Sequence, residues 1–273
     1  GAMARKNPRY LARNFAISTL FASLLIGFLT PTSADALVLV RPATQWGNVY
    51  AGPASTANQT AKPKAAYLEK KSNIVVKYNN FPEWTKVQVQ AAVDVWAANF
   101  ESKVPIYIDA TWGRSSSFSI LGSARPGSYF ANFPGAPDSS LWYPSALANA
   151  LAGKDLDGNN PEMVITVNSL ANWYRGTGVG PSKSEYDLQS VILHEMAHGL
   201  GFLSTDSYDD FFGYGSIDQP TPYDAYVQTG DGRRLSDLPS PSLELGEALT
   251  SKLVWSGQQG ITANGGVTTS LHS

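Results

Sequence analysis

Val191-Ile192-Leu193-His194-Glu195-Met196-Ala197-His198-Gly199-Leu200-Gly201 is the run from which the fold of this chain is read. With Leu188, its apolar positions make the run mostly hydrophobic, which predicts a largely buried helix. On such a helix His194 and His198 stand one turn apart on the same face and can grip one zinc ion. Glu195 points elsewhere, to where a carboxylate can take a proton from a water on that metal. The plain alternative, polar residues on a solvated face, fits poorly, because imidazoles and a carboxylate within an apolar helix need a partner to offset burial. The 273-residue chain has three histidines, and two of them fall in this motif. Gly199 and Gly201 predict the end of the helix, and Ser182 with Glu185, at capping-box spacing, its start.

Outward from the helix, strand composition recurs at residues 74–78, 105–110, 118–123 and 163–167. Between the first two, Val89, Ala92, Val93, Trp96 and Phe100 recur at helical spacing and predict a helix over 85–100 whose stripe is core. Strand, helix, then strands is an α+β order. The Gly/Pro-rich stretch 125–144 carries Tyr129, Phe130, Phe133, Trp142 and Tyr143, too aromatic for a disordered loop, and is expected to fold back on the sheet. Asp155-Leu156-Asp157-Gly158-Asn159-Asn160 has oxygen donors at alternate positions. Its glycine stands fourth rather than sixth, and no acid fills the place of an EF-hand's twelfth-position glutamate. A plain Asp/Asn/Gly turn is the simpler reading, with calcium left open.

Residues 1–4 read as a cloning scar. Residues 5–36 read as a signal peptide: Arg5, Lys6, Arg9 and Arg13, an apolar core over 15–29, and Ala34-Asp35-Ala36 as the cleavage site. That core falls short of the roughly 20 residues a membrane span needs, so export without lasting membrane association is expected. Residues 37–72, rich in Ala, Pro, Thr, Asn and Gly early on, read as a leader, linker or short pro-segment, with the main domain over 73–273. A formal net charge of −2 and scattered basic residues provide no field for nucleic acid. The chain has no cysteine, which excludes disulfides and any latency based on a thiolate capping the metal.

The run 191–202 resembles the active-site helix of the leishmanolysin-like metallopeptidases, including their secreted bacterial relatives. The likeness extends upstream through Val167-Asn168-Ser169, Asn172-Trp173-Tyr174-Arg175-Gly176-Thr177 and Asp187-Leu188, covering about residues 163 to 205. It implies a metzincin-like fold: a twisted mixed sheet with a backing helix, the zinc helix beneath it, and a cleft rimmed by an edge strand. It also implies a protein or peptide substrate lying extended near residues 163–167. Two features depart from the commoner metzincin pattern. Ser204 stands where a third histidine follows six residues after the second, and no methionine follows Met196 to form the turn below the metal. A long insertion before the third ligand, as in this family, is compatible with Ser204.

Hydrolytic zinc sites use three protein ligands and a water. The candidates for the third are Asp206, His272, and a residue beyond Ser273, since Leu253-Val254-Trp255-Ser256-Gly257 resembles segments upstream of the ligand in bacterial relatives. The expectation is a secreted zinc endopeptidase in which His194 and His198 bind metal and Glu195 is the general base. A second zincin class would use Glu244 or Glu247 on a downstream helix, although the helix break at Gly201 suits a chain turning back toward the metal. A third reading is an inactive or truncated zinc-binding module without catalysis.

Overall fold

A computed structural model describes residues 37–52, 69–176 and 180–271. The proposed signal segment and His272 lie outside the described residues. Strand β1 spans Leu39–Pro42, β2 Gly47–Tyr50 and β3 Ile74–Asn79; helix α1 follows over Glu83–Asn99 and leads to β4, Ile106–Gly113. β3 and β4 are parallel neighbours, so the chain must cross over between them, and α1 is the crossover. Next come β5 (Ile120–Pro126), β6 (Ser128–Ala131), β7 (Tyr143–Pro144), α2 (Ser145–Ala152) and β8 (Met163–Asn168).

The main sheet has the order β2-β5-β8-β4-β3. β8 runs parallel to β4, while β5 is antiparallel to β8 and β2 antiparallel to β5. Along β4 and β8 burial alternates: Ile106, Ile108 and Ala110, then Met163, Ile165 and Val167, face a single core, as the two-residue strand period requires. The zinc-motif helix, α3 (Leu188–Gly199), lies against that face, and Leu188, Val191, Ile192 and Met196 disappear into it. Each such burial contributes about 1.5–3 kcal/mol, so packing outweighs local propensity in fixing this helix. Trp96 on α1 donates its indole N–H to the Leu193 carbonyl at 3.0 Å and ties the two helices together. This is the α+β arrangement expected.

After α3 the chain forms β9 (Ser207–Tyr208), β10 (Gly215–Ser216), α4 (Pro222–Tyr226), β11 (Val227–Thr229), α5 (Leu243–Leu249), β12 (Leu253–Trp255), α6 (Gln258–Ala263) and β13 (Thr269–Ser270). β11, β12 and β13 make a small sheet over a second core of Ile217, Val227, Leu235, Leu245, Ala248 and Leu253. The aromatic stretch 125–144 does not lie on the main sheet: β6 and β7 make a small sheet with β1, and Phe130, Phe133 and Tyr143 pack with Ala148 of α2 in a core of their own.

Three further expectations need correction. Residues 37–52, read as leader or linker, are built into sheets: β1 pairs with β6 and β2 with β5. The two runs are too short to show periodicity, and four-residue strands draw much of their stability from an edge already present. Helix α3 is capped by Asp187, whose side chain accepts the Ser190 N–H at 2.8 Å, and not by Ser182; the Ser182 N–H bonds Glu185 in the turn before. Finally, a substrate cannot pair along residues 163–167, because β8 is interior and has β5 and β4 on its two sides.

Candidate metal centre

The two histidines of α3 converge. His194 Nε2 and His198 Nε2 lie 2.9 Å apart. Two imidazole nitrogens on one tetrahedral zinc, at about 2.0–2.1 Å each, stand about 3.3 Å apart, so a small outward movement of either ring admits the ion. Partial desolvation, together with the neighbouring His198, holds the His194 imidazole down to about 4, and desolvation also lowers His198. Both rings are thereby held in the neutral form that a metal requires.

His198 is oriented from behind. Its Nδ1 stands 2.8 Å from the Phe202 carbonyl, which accepts the Nδ1 proton and leaves the Nε2 lone pair free. The carbonyl comes into place because the chain reverses after the helix, with Gly201 at φ 115°, a conformation glycine adopts at little cost. Phe202 is then held by ring contacts to Tyr223 at 6.4 Å and Trp255 at 6.0 Å. Leu253-Val254-Trp255 thus serves the histidine indirectly, as strand β12 beneath it.

Glu195 is fully buried. Its Oε1 accepts the Val49 backbone N–H of β2 at 3.0 Å, and its Oε2 has no hydrogen-bond partner. Burial raises its carboxyl well above the usual carboxylate range, and the Val49 N–H offsets only part of that. Gly122 on β5 makes the room, since a Cβ there would come within 3.0 Å of Oε1. Gly47 of β2 lies on the His198 ring, where a Cβ would stand 2.2 to 2.7 Å from three ring atoms.

The donors present fit zinc, but two are not three. Among the described residues no carboxylate joins the two histidines within 4.8 Å. Ser204 is held elsewhere, donating to Asp224 Oδ1 at 2.5 Å. Asp224 is buried and closes the capping box of α4 with Thr221, which explains a serine at that position without any metal. Asp206 borders the same cavity of about 560 Å³ as His198, half-buried and with its carboxyl raised by desolvation. Glu244 and Glu247 are exposed on α5, and Glu244 pairs with Arg233 at 3.1 Å. His272 lies outside the described residues; Leu271, immediately before it in sequence, borders the His198 cavity.

Away from this centre, carboxylate oxygens of Asp155, Asp157 and Glu162 lie within 4.8 Å of one another. The turn reading had two of these three acids and missed Glu162, which stands just before β8. Glu162 is 1% exposed, and burial pushes its carboxyl up to about 7 even though it accepts the Tyr107 N–H at 2.6 Å. Among described residues no helix is long and apolar enough to cross a membrane.

Sequence reasoning located His194, Glu195 and His198. It missed Val49, the Phe202 carbonyl, Gly47 and Gly122. An isolated glycine within a strand pattern, as at Gly122, signals close approach by another group, but not which group. No protein-family model, curated protein or solved structure matches this chain.

Proposed function

We propose that this chain is an exported zinc-dependent endopeptidase of metzincin type, similar to the leishmanolysin-like enzymes. The observation that carries the reading is the meeting of two imidazole Nε2 atoms, one ring oriented by the Phe202 carbonyl, beside a buried glutamate on the same helix. Zinc, when bound, supplies a polarised scissile carbonyl and a water acidic enough to react near neutral pH. His194 and His198 hold the ion, and among the described residues no carboxylate joins them as a third donor. Glu195 takes the water's proton and carries it to the departing amine, so no protein nucleophile is required. The substrate class is protein or peptide.

The test is zinc content together with cleavage of an unfolded casein-type protein. Glu195→Ala is expected to keep the parent's zinc and to lower cleavage by about a hundredfold or more, the usual cost of removing a general base. Cleavage at equal rates by both proteins overturns the mechanism.

A further inference from the structure

We propose that β2 occupies the place of an extended peptide ligand, so that the outer edge of β5 is a strand-shaped peptide-binding site which the chain fills with its own residues 47–50. The proposal rests on the peptidase reading for the fate of a bound peptide, but not for the binding itself.

The edge of β5 not taken by β8 is where α3 presents both its general base and His198. β2 lies there, antiparallel, with Gly47 opposite Ala124, Asn48 opposite Ser123 and Val49 opposite Gly122. Its backbone meets both functional groups, through the Val49 N–H on Glu195 and Gly47 against the His198 ring. Its side chains add one cross-strand bond, from the Ser123 hydroxyl to Asn48 Oδ1 at 2.6 Å, and the partly buried Val49, while Tyr50 is 61% exposed and the pairing is irregular between Val49 and Tyr50. A segment held chiefly by main-chain bonds to a sheet edge is the way proteins hold extended peptides of varied sequence.

The flanking residues carry the segment across the cleft. Upstream, the Arg41 guanidinium lies over the Tyr129 and Trp142 rings and donates to the Gln219 carbonyl, and Gln45 donates to the Thr205 carbonyl. Downstream, the Gly52 carbonyl accepts the Tyr186 hydroxyl at 3.1 Å. Of β2, only the partly buried Val49 packs against the main core. While β2 is seated, Glu195 Oε1 holds a peptide N–H and a backbone lies on a metal-ligand ring, so a substrate strand has no room. The chain blocks itself by occupancy, a route open to a protein without cysteine.

Gly47→Val and Val49→Pro test this. The first puts a side chain where the His198 ring stands; the second removes the donor to Glu195 without crowding that ring. If Gly47→Val fails to fold, Val49→Pro carries the comparison alone. Amide hydrogen exchange at residues 120–124 reports whether β2 has left, and a fluorescently labelled synthetic peptide of residues 44–51 is the probe. Both variants are expected to lose protection at 120–124 and to bind the probe at least tenfold more tightly than the parent, with protection restored on binding. A variant that loses protection yet binds the probe no better than the parent overturns the proposal, as does Gly47→Val with β2 still paired. Casein cleavage by the zinc-loaded variants is a separate measurement. A rise of tenfold or more over the parent supports both the strand site and the peptidase reading. Tight probe binding with no cleavage supports the strand site and refutes the peptidase.

Discussion

Gly122 illustrates how little of a site need be chemically active. Its missing side chain lets Glu195 lie under β5, with Val191 also within 3.2 Å of any added Cβ. Gly122→Val is therefore expected to displace the Glu195 carboxyl and to cost about 1–3 kcal/mol by overpacking, while His194 and His198 remain in place. Urea denaturation alongside zinc content checks this; loss of zinc with unchanged stability contradicts it. The third ligand is decided at the same scale. Because Asp206 does not join the histidines within 4.8 Å, Asp206→Ala is expected to leave zinc affinity unchanged. A weaker Kd for that variant, with His272→Ala at the parent value, would instead make Asp206 the ligand. His194 and His198 were legible because their spacing alone encodes a shared helix face, and Glu195 because it stands between them in the same motif. Gly47 and Val49 were not, since what they do depends on a partner about 150 positions away, and in Val49 the acting group is backbone.

At the scale of elements, α3 is held by burial along one side and by its cap. Asp187 accepts both the N–H and the hydroxyl of Ser190, at 2.8 and 2.6 Å. Asp187→Ala is expected to lower stability by about 1–2 kcal/mol, read as a lower Tm, through loss of that cap. Glu162, at the entrance to β8, sets a pH dependence. Its folded-state value of about 7 lies above the ordinary 4.5, so the folded protein holds a proton that the unfolded chain releases. Its contribution is intact below about 4.5 and is lost as pH rises toward 7. Thermal melts from pH 4.5 to 7.5 should show this component, and Glu162→Gln should flatten it; an unchanged slope in that variant refutes the assignment. Periodicity located α1 and the strands around it within a few residues, because each buries a regular stripe. It misplaced the start of α3, where Ser182-x-x-Glu185 has capping-box spacing but closes only a turn.

For the whole molecule, the α+β order was readable because the central strands and α1 carry their own hydrophobic pattern. The membership of β1 and β2 was not, since short edge strands of mixed composition acquire structure from what they join. Export is a further expectation at this scale. N-terminal sequencing of the secreted protein should find Leu37 first; an intact 15–29 segment recovered with the membrane contradicts that. A chain beginning at Leu37 keeps all of β1 and β2, so leaving the cell does not by itself unseat β2.

The seated β2 has a consequence for solubility. A strand edge stripped of its neighbour presents a row of unmet N–H and C=O groups, and another copy of the same protein is a ready partner for it. β2 therefore keeps molecules apart as well as keeping peptides out. A protein whose β2 has withdrawn should self-associate as its concentration rises and return to monomers when short peptide is supplied. Storage as the strapped form would then guard against clumping.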